Sequence, residues 1–182
     1  VIEFGLILSS AHIHGILNPT DTFGVLTPSS FSFTIIKTGA NAMEYSMIDH
    51  TADLGVWIRS TTLNQLFKDA AKVLIRLSLG EVPSVEDNME IKDLEIEGSD
   101  LVDLMVRWLG EILYLLDGER LIFWEAQHLQ IVGETKLQAV AQFIPFKEGS
   151  HSWETYIKAV TYHQAKVEQK DAWWEAFLIF DV

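Results

Sequence analysis

Two apolar stripes at helical spacing, followed by four long runs of strand character, constrain this chain more than any other feature. Leu101, Leu104, Met105, Trp108, Leu109, Ile112 and Leu116 recur at three and four, which places them on one broad face of a helix. Ser99 stands in front as the expected N-cap, Asp100 and Asp103 supply an acidic first turn that suits the helix dipole, and Gly118 stops the run. An earlier helix is written the same way by Leu63, Leu66, Phe67, Ala70, Ala71, Leu74 and Leu77, with Thr61 or Thr62 as cap and an end near Gly80.

Around these helices the period changes to two. A short strand over 44–49 and a second over 54–59 flank a tight turn at His50-Thr51-Ala52-Asp53, as a hairpin requires. Met89, Ile91, Leu94 and Ile96 suggest a strand whose alternation slips between Ile91 and Leu94, where a bulge is expected. Further runs at 121–132, 136–144, 155–167 and 173–180 are separated by Gly133-Glu134, a loop at 145–152 and Gln169-Lys170-Asp171. The expected fold class is α+β: a mainly antiparallel sheet with two amphipathic helices packed on it. With 182 residues, 48% of them hydrophobic, one well-packed domain is expected.

Residues 1–42 have a different texture. They carry only Glu3, Asp21 and Lys37 as charges and show no sustained period, whereas charged helices and alternating strands begin at Met43. They are set apart as an unassigned N-terminal extension, read either as a disordered or loosely packed segment or as upstream sequence translated from a misplaced start, with the domain over 43–182. Mass spectrometry of the native N-terminus separates the two.

Thirteen basic residues against 26 acidic ones give a formal charge of −13, so the average surface repels a phosphate backbone and direct nucleic-acid binding is not expected. No apolar run reaches the roughly 18 residues of a membrane span. The chain contains no cysteine, which removes thiolate chemistry and fits a reducing, cytoplasmic compartment. The phosphate-cradling glycine loops, the G-x-S-x-G elbow and H-E-x-x-H are all missing. His12-x-His14 has a spacing that fits two imidazoles on one side of a strand, yet it falls in the extension.

Three stretches gather chemistry. Asp49 to Gly55 holds two carboxylates, an imidazole and a hydroxyl in one connection; a turn whose side chains satisfy backbone amides explains it as well as a hard-cation site does. Asp181 and the α-carboxylate of Val182 place two anionic groups at the end of an apolar strand, an ordinary solvated terminus unless that strand lies beside Asp53. In the third, Tyr156, Lys158, Val160 and Tyr162 share a face by period two, and Lys158 reads as a snorkelling lysine or as an amine reaching a partner. His163, on the other face, reads as a satisfied strand histidine.

Taken together, His50 to Gly55, Trp108 to Leu115, Lys158 to His163 and the ending Ile179 to Val182 resemble, in this order, the motifs of the archease family, and the resemblance spans 43–182. It implies a non-catalytic activator of an RtcB-type RNA-splicing ligase, promoting guanylylation of the ligase's active-site histidine and multiple turnover in tRNA splicing. It further implies Asp53, Asp181 and Val182 as metal ligands, with Ca²⁺ the usual cation, and Lys158 as a residue needed for activation. The alternatives are a general chaperone or modulator of RNA-modification enzymes such as a tRNA methyltransferase, and a stand-alone metal-dependent hydrolase, which would need a base and a phosphate clamp not visible here.

Overall fold

The computed structural model describes residues 32–38 and 41–50 in their backbone course and residues 53–81 and 88–182 with their side chains. His12, His14, Thr51 and Ala52 fall outside the described residues. The elements run β1 (Ser32–Thr38), β2 (Asn41–His50), β3 (Asp53–Ser60), α1 (Leu63–Leu79), β4 (Glu90–Glu97), α2 (Leu101–Asp117), β5 (Leu121–Val132), β6 (Lys136–Pro145), β7 (Ala159–Lys170) and β8 (Trp173–Asp181).

Both helices form where the apolar spacing puts them. In α1 the Thr62 side chain accepts the Gln65 N–H at 3.1 Å. Its end is closed by Gly80 at φ +72°, a left-handed position where an added Cβ would collide with the Glu154 carboxylate. The cap of α2 is Asp100, not Ser99: Asp100 accepts the Asp103 N–H at 2.8 Å, and Asp103 in turn accepts the Ser99 N–H at 2.8 Å. Two carboxylates three residues apart thus satisfy two orphan donors reciprocally, which a lone serine hydroxyl does not.

The α+β class holds, and the strands divide into two antiparallel sheets. One is ordered β1-β2-β3-β8-β7 and the other β4-β6-β5. Each sheet packs against both helices, so α1 and α2 form a layer between them. That placement explains why eleven residues of α1 and nine of α2 are buried, more than a helix resting on a single sheet would cover. The sheets contribute Val56, Ile58, Leu178 and Phe180 from one side and Leu137, Ala141, Phe143 and Phe123 from the other. Trp108 sits fully buried at the centre, edge-on to Phe123 at 5.9 Å, and its Nε1–H donates to the Phe67 carbonyl at 3.0 Å.

The expected bulge in β4 is absent. Its register against β6 is unbroken from Glu90 to Glu97, and Lys92, Leu94 and Ile96 hold the inward positions. Ile91 lies on the outer face, 61% exposed; an apolar residue facing solvent imitated a slip in phase. The real irregularities are in β5, at Phe123/Glu125 and Ala126/His128, and in β7 between Thr161 and Lys166.

One buried polar group couples this core to pH. Asp69 is 6% exposed, accepts from Ser60 Oγ at 2.5 Å and from Gln65 Nε2 at 2.8 Å, and burial raises its pKa above the usual carboxylate value despite those bonds. Between the unfolded and the raised folded pKa the native state holds a proton that the unfolded chain releases, so stability falls as pH rises through that window. Asp69→Asn removes this dependence. In urea titrations from pH 4 to 7, the variant gains on the wild type as pH rises; a stability difference that is constant with pH contradicts the assignment.

Candidate functional site at one end of strands β3 and β8

Strands β2 and β3 meet in a tight hairpin in which His50 pairs with Asp53. Strand β8 then lies antiparallel to β3, and the register sets Asp53 directly opposite Asp181. Opposed residues of an antiparallel pair project from the same face with Cβ atoms about 4.5–5.5 Å apart, so the two carboxylates share one corner of the sheet. On the other side of β8, Ala159 pairs with Asp181, and the Lys158 N–H donates to the Asp181 carbonyl at 2.8 Å. The three separated motifs therefore converge.

Lys158 is directed to this corner and does not snorkel past the neighbouring tyrosines. Its ammonium donates to the main-chain oxygen of Val182 at 2.7 Å and lies 3.9 Å from Asp181 Oδ1. Both side chains are about half exposed, 55% and 49%, so water reaches the corner freely. Like charges directly opposite on a strand pair are destabilising; here the ammonium offsets them.

For a metal the donors are oxygens throughout: two carboxylates and the Val182 main-chain oxygen. Among the described residues no three His, Cys, Asp or Glu side chains come together, so within that set a third oxygen would come from the main chain of Val182, with water completing the shell. Such a set fits a hard cation such as Ca²⁺, which takes oxygen ligands from several chain segments and tolerates water among them. Lys158 holds two of the same groups.

Sequence reasoning missed a second set of polar contacts, at the two ends of α2. Tyr162 Oη donates to Asp103 Oδ1 at 2.6 Å, and Tyr156 Oη donates to Asp117 Oδ2 at 3.2 Å. Hydrogen bonding from Tyr162, the Ser99 amide and Arg107 holds the Asp103 carboxyl well below the usual carboxylate range, while the carboxylates raise both tyrosine pKa values. His163 is exposed and lies 3.2 Å from the Gln164 amide.

The model of the archease protein family (MTH1598/TM1083) matches residues 45–182. The chain belongs to the archease family. The Methanopyrus kandleri archease is 34% identical over 142 residues, spanning 77% of this chain and all of that protein; the Methanosarcina mazei archease is 31% identical, spanning 76% and 96%. The solution structure of protein 1598 from Methanobacterium thermoautotrophicum superposes with a TM-score of 0.62 at 26% identity, covering 76% of this chain and 98% of that one. The crystal structure of a Thermotoga maritima archease, described as a possible chaperone, gives a TM-score of 0.52 at 24% identity and supports the fold. Residues 53, 158, 181 and 182 lie inside the matched span.

Proposed function

We propose that this protein is a non-catalytic activator of an RtcB-type RNA-splicing ligase in the cytoplasm, and that it acts through the corner formed by Asp53, Asp181, Val182 and Lys158. What supports the reading most is the register that sets Asp53 against Asp181, with the Lys158 ammonium on Val182, in a chain of the archease family. Asp53, Asp181 and the Val182 oxygen would hold a Ca²⁺ ion, which supplies concentrated positive charge that attracts phosphate oxygens and polarises bound groups. The chain's own residues do the rest: β3 and β8 fix the carboxylates on a rigid sheet, and half-exposure lets the corner enter a partner's cleft. Preorganised charge aimed at a nucleotide lowers a guanylylation barrier without reorganisation during the reaction.

The test is ligase guanylylation and multiple-turnover RNA joining by purified ligase from the same organism, with and without this protein. Stimulation is expected; its absence with folded protein overturns the reading. The second reading is a general chaperone or modulator of RNA-modification enzymes such as a tRNA methyltransferase, and the Thermotoga maritima protein is described as a possible chaperone. Co-purification that recovers a tRNA methyltransferase ahead of the ligase would select it.

Because Lys158 and a cation compete for Asp181 and Val182, cation binding is expected to release the ammonium. Lys158→Met, which keeps the chain length and drops the charge, is expected to raise Ca²⁺ affinity in calorimetry by about 2–5-fold, the size of a half-exposed ion pair, and to weaken stimulation of the ligase. Unchanged affinity would mean that the amine does not hold the site.

A further inference from the structure

Lys158 reaches the corner from a stretch of chain that the sheet itself holds only briefly. It stands one residue before β7 begins. Strand β7 then pairs with β8 at Ala159, Val160 and Thr161, after which four residues, Tyr162 to Ala165, stand opposite the single residue Leu178 before pairing resumes at Lys166. Within that bulge Gln164 takes φ +54°, and such an insertion bends the strand and disrupts the ladder. Three paired residues are a short frame for a side chain that has to meet Val182 and Asp181 at a fixed place.

Helix α2 supplies what the ladder does not. Tyr162, the first residue of the bulge, donates to Asp103 at 2.6 Å, and Tyr156, two residues before Lys158, donates to Asp117 at 3.2 Å. Asp103 is itself a fixed point: its side chain is 14% exposed and also accepts from the Ser99 N–H and from Arg107. The two acceptors stand fourteen residues apart on the helix, a rise of about 21 Å. Six residues of extended chain, from Tyr156 to Tyr162, span about 20 Å. The lengths match, so this segment runs along α2 in the opposite direction, and Ile157, next to the lysine, is buried in the core. Both tyrosines remain half exposed, 51% and 57%; their rings bury little, and the hydroxyls tie them down.

We infer that Tyr156 and Tyr162 are positioning residues for Lys158. Their hydroxyls moor the chain to α2 on both sides of the lysine, and the mooring sets its ammonium on the Val182 oxygen and beside Asp181. Each hydroxyl is bonded to α2 and acts on the corner through the backbone that carries Lys158. A loosened mooring lets the ammonium leave its partners, so a cation meets a weaker competitor for the same oxygens. That consequence for Ca²⁺ and for the ligase rests on the proposed function; the positioning itself does not.

Tyr156→Phe and Tyr162→Phe in the full chain each remove one oxygen and leave Asp103 with its Ser99 and Arg107 partners. The first readout needs neither cation nor ligase: the order parameter of the Lys158 ammonium from nitrogen relaxation in chelator. It is expected to fall in both variants, while that of Lys72, held by Glu125, stays as in the wild type; an unchanged Lys158 value in both overturns the positioning. Calorimetry with Ca²⁺ then compares each variant with Lys158→Met and with the double variants. Each tyrosine variant is expected to bind Ca²⁺ more tightly, by up to the two- to fivefold expected of Lys158→Met, and to add nothing once Lys158 is replaced. A tyrosine effect of equal size with and without Lys158 would mean a general loss of stability and would also overturn the positioning. A fall in Lys158 order in a protein that binds no Ca²⁺ upholds the positioning and removes the cation reading of the corner alone.

Discussion

Asp53→Ala and Asp181→Ala should each reduce stimulation of the ligase by at least about tenfold, the scale seen when groups supporting a metal site are removed, while leaving the protein folded. Both carboxylates lie at the end of their strands, Asp53 exposed and Asp181 about half exposed, and neither contributes to the core. The stability readout carries a sign that distinguishes a cation site from a merely acidic corner. In chelator the wild type has two like charges opposed across a strand pair, an arrangement unfavourable by about 0.2–1 kcal/mol. Asp53→Ala, which keeps the Lys158–Asp181 pair, should then melt at or slightly above the wild-type temperature. With Ca²⁺ in excess the native wild type alone gains binding free energy, about 2.7 kcal/mol at a hundredfold excess over Kd, and the order should reverse. Melting curves in chelator and in Ca²⁺ therefore have to cross. Parallel shifts, with both variants responding to Ca²⁺ as the wild type does, would remove these carboxylates from the metal site whatever the ligase assay shows.

That crossing depends on a juxtaposition that residue patterns alone do not reveal. The helices were legible because seven apolar residues at three and four can lie on only one face, and the strands of 121–132 and 136–144 because their alternation is long and bounded by Gly133-Glu134. Strand pairing was less accessible. Period two says which residues share a face but not which strand lies alongside, so nothing local reveals that β3 borders β8 or that β4, β5 and β6 separate into their own sheet. Asp53 and Asp181 looked like a turn residue and a terminal residue until the family resemblance brought them together, and the register then put them opposite each other. Ile91 misled for the reverse reason: one exposed isoleucine in a regular strand looks the same in the sequence as a bulge. The tyrosine pairs had a partial signal. Asp103 was read as a helix-dipole residue, which it is, but its second role as acceptor for Tyr162 requires β7 to pack along α2.

The largest loss of stability should follow Trp108→Ala. This indole is inaccessible to solvent, lies between the two sheets, meets Phe123 edge-on and is bonded to the Phe67 carbonyl. Truncation removes the aromatic contact and the hydrogen bond together and leaves a void that two sheets held apart by helices close poorly, so a cost of about 3–5 kcal/mol is expected. For a domain of this size that lowers Tm by on the order of 10 °C. Trp108→Phe separates the contributions. It keeps most of the ring volume but gives up the Nε1–H donor, and since the Phe67 carbonyl belongs to α1 and retains the helix as a source of donors, the loss should be nearer the roughly 1 kcal/mol of one hydrogen bond. Urea unfolding measures both, and the slope with denaturant should stay constant, because the surface exposed on unfolding barely changes. If alanine cost no more than phenylalanine, Trp108 would be anchored by its hydrogen bond alone, and the helix layer would not be the packed centre on which the carboxylate corner depends.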